Sequence, residues 1–140
     1  MAPPMDAFFQ PAPGGGQRLY LHHTPRAGQT PLGAVLYIHP WAEEMNKSRR
    51  MAALGSRALA AQGWAVLQVD LLGCGDSSGD FGDATWEAWL DDVTQAAQWL
   101  RARHPGAPQP YYFAPARRAR PNCTDPWPRR SSGTRRAVAP

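Results

Sequence analysis

The sequence predicts an α/β fold on a mostly parallel sheet with two main helices, left incomplete toward its C-terminal end. Three observations carry that expectation. Two apolar runs flank a helix-periodic segment, a stronger helix-periodic segment follows, and after Leu100 there is no further Leu, Ile or Met. At 140 residues, one modest domain is expected.

The first apolar run, Gly33 to His39, reads Gly-Ala-Val-Leu-Tyr-Ile-His, as in a strand covered on both faces, and Pro40 ends it. From about Lys47 to Gln62, Met51, Leu54, Ala58 and Ala61 recur at helical spacing and mark an apolar face, with Gly63 as the stop. Trp64 to Asp70 is the second run, and strand, helix, strand in this span describes a right-handed parallel crossover. After the loop Leu71–Ala84, Trp86, Trp89, Leu90, Val93, Ala97 and Leu100 fall on one helical face. Thr85 is placed to cap that helix, Glu87, Asp91 and Asp92 sit early, and Arg101 and Arg103 sit late, as the macrodipole favours. Tyr111 to Ala114 begins a further strand.

Upstream, Arg18 to His23 reads as an edge strand. Residues 1–16, with Pro3, Pro4, Pro11, Pro13 and a Gly-Gly-Gly run, read as a flexible lead-in. The domain is thus expected over residues 17–114. Residues 115–140 are expected to form a disordered Arg/Pro-rich tail, because they hold too little apolar surface to offset about 1–2 kcal/mol of backbone entropy per residue.

Charge divides at the same boundary. Before Pro115, eight Lys and Arg face ten Asp and Glu, a net −2; from Pro115 onward, seven Arg face Asp125 alone, a net +6. The basic pI of 9.6 therefore belongs to the tail. No basic-then-apolar leader opens the chain, and no run approaches the roughly 20 apolar residues of a membrane span, so a cytoplasmic protein without a membrane span is expected. Cys74 and Cys123 stand far apart in unlike contexts, which supports neither a disulfide framework nor a zinc site. No metal and no cofactor is expected.

Two loops invite a chemical reading. Asp70-Leu-Leu-Gly73-Cys74-Gly75-Asp76-Ser77-Ser78-Gly79 follows the second strand, but a dinucleotide-binding G-x-G-x-x-G would need glycine where Ser78 stands. It reads as a Gly-rich structural turn, with Asp76 and Ser77 bracing it. The stretch His39-Pro-Trp-Ala-Glu-Glu-Met-Asn-Lys-Ser-Arg-Arg50 lies where parallel sheets place binding groups. On physical grounds alone, a polar loop ahead of a helix is the simpler reading. Glu43 and Glu44 are adjacent, so they read as a solvated pair at the helix start, and His104 reads as a macrodipole partner at a helix end.

The pairing of Val35-Leu-Tyr-Ile-His-Pro40 with Asp70-Leu-Leu-Gly-Cys-Gly-Asp-Ser-Ser-Gly79 resembles the first half of an α/β-hydrolase. The string His39-Pro-Trp-Ala-Glu-Glu-Met-Asn-Lys-Ser-Arg-Arg-Met51 is similar to the type 2 hydrolase associated with exosortase A systems, over roughly Phe8 to Pro110. The resemblance implies hydrolysis of an acyl-type small molecule (ester, thioester or amide), with the backbone N–H of Trp41 in an oxyanion hole and His39 shaping that loop. It also implies structural roles for Asp70, Gly73, Gly75, Asp76 and Ser77.

In that superfamily the nucleophile follows the next strand, and an acid and a histidine come later. Past Tyr111-Tyr112-Phe113 the sequence runs Ala-Pro-Ala-Arg-Arg, and His104 is the last histidine. The expectation is a hydrolase truncated before its nucleophile and inactive alone, its tail a product of a frameshift or misassembled gene end. The alternative is a basic-tailed module binding nucleic acid or protein, with nucleic acid the lesser expectation. An unfinished sheet is also expected to leave Val35, Leu36, Val66 and Leu67 poorly covered.

Overall fold

The computed structural model describes residues 3–40, 43–108 and 110–113. The elements are β1 (Met5–Pro11), β2 (Gln17–His23), β3 (Gly33–Ile38), α1 (Glu43–Ala61), β4 (Trp64–Val69), a 3₁₀ turn Phe81–Asp83, α2 (Trp86–Arg103) and β5 (Tyr111–Phe113). One sheet has the order β1-β2-β4-β3-β5. β3 is parallel to β4 and β5, while β2 runs antiparallel to β4 and β1. β2 is therefore the one reversed strand among the described elements, and the expected mostly parallel sheet with two main helices is present. The expected tail lies outside the described residues.

The two apolar runs are β3 and β4, paired in register with Leu36 beside Leu67. Their alternate residues serve the two faces. Ala34, Leu36, Ile38, Ala65, Leu67 and Val69 join Val93, Ala97 and Leu100 of α2 in the core. On the other face, Gln68 donates to Ser56 of α1 at 2.9 Å. Helices thus cover both faces, and Leu36, Val66 and Leu67 are buried, contrary to the poor cover expected of them, while Val35 is half-buried. The physical reason is that the steps from β3 to β4 and from β4 to β5 run in opposite directions along the sheet, so crossovers of one hand set α1 and α2 on opposite faces.

α1 corrects the sequence reading in a second way. Its inward face carries Met45, Ala52, Ser56 and Ala60, whereas Met51 and Leu54 are 68% and 47% exposed. Small residues let the helix lie close to the sheet, and the larger apolar side chains are turned out. Gly63 ends the helix as expected, donating to the Ala60 carbonyl at 3.1 Å. Thr85 caps α2 as expected, its hydroxyl accepting from the Ala88 N–H at 3.1 Å.

The lead-in differs as well, because residues 5–11 are strand β1. Phe8, opposite Tyr20 in the ladder, packs edge-on to that ring at 5.7 Å and against Trp99 at 5.2 Å, and this burial outweighs the flanking prolines. Pro11 is tolerated because β1 is an edge strand. No helix among the described residues is long and apolar enough to cross a membrane.

His104 does more than face a helix end. Its Nε2 lies 2.9 Å from Nε2 of the buried His22, one ring donating and the other accepting. Burial pushes His22 down to about 4 from 6.5, helped by His104 and Arg103, opposed by Asp6, and helped slightly by His23. His104 is lowered too, first by burial and then by Arg103. The unfolded chain therefore binds more protons between pH 6.5 and about 4. Stability present above pH 6.5 is expected to fall as the solution is acidified through that window. The slope is at most about 1.4 kcal/mol per pH unit for one histidine, less after solvent screening. Urea midpoints at pH 7.5 and pH 5 check this, and equal midpoints would contradict it.

Candidate functional site

The parallel register of Ile38 with Val69 sets the next residues, His39 and Asp70, beside each other at the C-terminal edge of the sheet. Both side chains are buried. Asp70 Oδ2 accepts from Arg49 Nη2 of α1 at 2.7 Å and from the Asp76 N–H at 3.1 Å. Oδ1 faces His39 Nε2 at 3.9 Å, beyond hydrogen-bond range. Among the described residues neither ring nitrogen of His39 makes a hydrogen bond, and the ring stands edge-on to Tyr37 with centroids 4.9 Å apart.

Burial holds His39 below the ordinary histidine value; Asp70 opposes this, Arg49 reinforces it, and Gln68 opposes it weakly. The Gln68 amide nitrogen is itself committed to His23 and Ser56. The result is a neutral imidazole against a carboxylate already bonded to a guanidinium. Such a ring can take up a proton or accept a hydrogen bond, but nothing among the described residues stands ready to be activated by it.

The Asp70–Gly79 loop is held by its own atoms and by β2. Ser77 Oγ donates to the Asp70 carbonyl at 2.6 Å and accepts from the Leu19 N–H at 2.9 Å. Ser78 Oγ accepts from the Gln17 N–H at 2.8 Å, and the Ser78 N–H donates to the Gln17 carbonyl at 2.9 Å. Gly73 and Gly75 have φ of 71° and 57°, a region costly for other residues. A Cβ on Gly75 would strike the Asp70 carboxylate and the Arg49 guanidinium, and one on Gly73 would strike the Asp80 carbonyl. The loop thus needs glycine twice, for conformation and for space.

Beneath the loop lies an ion pair that no local pattern announced. Arg18 Nε of β2 reaches both oxygens of Asp92 in α2, at 2.9 and 2.8 Å, with side chains only 4% and 2% exposed. Asp92 Oδ2 also accepts from the Leu72 N–H at 2.8 Å. Trp89 Nε1 donates to the Leu72 carbonyl at 2.9 Å, so α2 grips the loop twice.

A literal Gly-x-Ser-x-Gly string does occur, at Gly75-Asp76-Ser77-Ser78-Gly79. The structure places Ser77 in a bracing position: it is buried, and its hydroxyl proton is already given to the Asp70 carbonyl. No histidine bonds to it among the described residues, so the string is not a strand-to-helix nucleophile turn.

Of the residues singled out from sequence, His39, Asp70, Gly75 and Asp76 come together, and Gly73 and Ser77 support them. The Asp76 side chain is 69% exposed, and it is its backbone that braces. Trp41 lies outside the described residues. Arg49 was missed, because a helix-surface arginine has no local mark of reaching a strand end. A cleft of about 140 Å³, lined by Ala34, Leu100, Arg101, His104 and Pro110, opens at the other end of the strands, away from this cluster. No group of three or more His, Cys, Asp or Glu able to hold a metal occurs among the described residues.

The sequence profile of the X-Pro dipeptidyl-peptidase (S15 family) matches residues 15–129. The chain belongs to this family. Its fold is that of α/β serine hydrolases: a lidless member from Xanthomonas campestris superposes with a TM-score of 0.61 at 22% identity, over 79% of this chain and 50% of that one. An α/β serine hydrolase homologue from Coxiella burnetii gives 0.62 at 17% identity, over 78% and 50%. Est1E from Butyrivibrio proteoclasticus, solved with ferulic acid bound, gives 0.59 at 22% identity, over 77% and 42%. The chain spans about half the length of these structures. No curated protein matches the sequence.

Proposed function

We propose that this chain is the N-terminal part of an acyl hydrolase and carries one side of its oxyanion hole without its nucleophile. The observation supporting this is the register of Tyr37 with Phe113: β5 ends beside the end of β3. A turn following β5 would emerge next to the loop that follows His39, where superfamily members bring nucleophile and oxyanion donors together. In this reading the Trp41 N–H is the donor and His39 sets the loop, with Arg49 and Asp70 anchoring the strand ends beneath it. Asp70, Gly73, Gly75, Asp76 and Ser77 hold the neighbouring loop in shape.

The substrate class is an ester, thioester or amide carbonyl, and family membership favours the amide. The likeness of His39–Met51 to the exosortase-associated type 2 hydrolases refines the proposal to that branch. Residues 17–114 form the hydrolase portion, and the sequence past Phe113 supplies neither a nucleophile turn nor a later histidine. The chain alone is therefore expected to be inactive. The nucleic-acid reading of the tail gains nothing from the fold.

An activated acyl ester incubated with the purified chain is expected to hydrolyse at the buffer rate. Turnover above that of free imidazole, abolished by Ser77→Ala, would overturn the proposal. Translating all frames past the codon for Pro110 tests the truncation separately. A frame continuing into a strand, a nucleophile turn and later an acid and histidine is the expected result.

A further inference from the structure

α1 and the start of α2 lie on opposite faces of the sheet and carry opposite charge. From Met45 to Ala61 the exposed residues include Lys47, Arg50 and Arg57 and no acid. Between these cations stand Met51 and Leu54, 68% and 47% exposed. Across the molecule, Asp83, Glu87 and Asp91 are exposed with no cation between them in sequence. Here too large apolar groups are turned outward, Phe81 at 51% and Trp86 at 40%.

Each patch is thus an apolar centre edged by one sign of charge, and the two match in both respects. We propose that the basic ridge of α1 docks onto the acidic, aromatic start of α2 in a second copy of this chain. Because the patches occupy opposite faces, one copy cannot use both against the same partner in a two-fold pair. The association is head to tail and open to further addition. Opposite charge steers the encounter, and burial of Met51 and Leu54 against Phe81 and Trp86 supplies the non-polar part.

Sedimentation velocity on the full chain, across a concentration series, tests this. The sedimentation coefficient is expected to rise with concentration at low salt. The rise should shrink near 1 M salt, where the screening length is about 3 Å. Arg50→Glu with Arg57→Glu is expected to weaken association at least about tenfold, as is Glu87→Lys with Asp91→Lys. The variant carrying all four changes should associate again, since both patches are then reversed together. Thermal melts of each variant separate loss of contact from loss of fold, and the salt series on the unmodified chain needs no variant at all. A concentration-independent monomer at low salt would sink the proposal. So would association that persists in the α1 variant, or failure of the four-fold variant to recover while still folded. Binding of the chain to anionic lipid vesicles, with no self-association, would assign the ridge to a membrane surface and equally overturn it.

Discussion

Asp92→Ala is expected to lower unfolding free energy by about 3–5 kcal/mol, because it leaves a buried guanidinium without its counter-charge. Arg18 is 3% exposed and cannot turn its head group to water without opening β2 from α2. The same change strips the Leu72 N–H of its acceptor, so a backbone donor loses its partner at the start of the loop. Urea unfolding of the variant measures the effect. A loss below about 1 kcal/mol would mean that water reaches Arg18 in solution. Replacing both partners by apolar residues of similar volume should cost far less, because the penalty comes from the unpaired charge and not from absence of the bridge.

Leu67→Ala is expected to cost about 2–5 kcal/mol. Leu67 is fully buried at the middle of β4, beside Leu36 in the parallel ladder and beneath α2. Strands on both sides fix the backbone, so the space cannot close by collapse, and the upper part of that range applies. Its midpoint shift in the same urea experiment should add to that of a distant surface change. A loss under about 1 kcal/mol would show that the core rearranges to fill the gap.

What the sequence revealed follows from the range of the interactions involved. β3 and β4 were legible as short continuous apolar runs, α2 because its burial is periodic within a single element, and the Thr85 cap because it acts across three residues. α1 was legible as a helix but not in its orientation. Size and hydrophobicity pointed to Met51 and Leu54, while proximity to the sheet selected Ala52, Ser56 and Ala60. Strand β1 was hidden by its prolines, since the partner that stabilises Phe8 lies in another strand and a distant helix.

The candidate site was legible in part for the same reason. His39 and Asp70 each stand at the visible end of an apolar run. Their meeting depends on parallel register, and the strand-helix-strand pattern announces that pairing. Arg49 and Asp70 are 21 residues apart, and Arg18 and Asp92 are 74. A single sequence holds no local sign that such charges meet.

The reversed strand β2 has a consequence for how the sheet assembles. Arg18, Tyr20 and His22 project from it on one side, and α2 with its C-terminal cap meets each with a different chemistry: Asp92 by charge, Trp99 by aromatic packing against Tyr20 and His22, and the cap residue His104 by a ring hydrogen bond to His22. A slip of one residue would present Gln17, Leu19 and Leu21 to the helix instead, leaving Asp92 with no cation and His104 with no partner. β2 is thereby checked at three stations along its length. Mispaired hairpins are rejected by unmet polar groups as well as by misplaced apolar ones, so errors in the β1–β2 pairing are exposed when α2 docks.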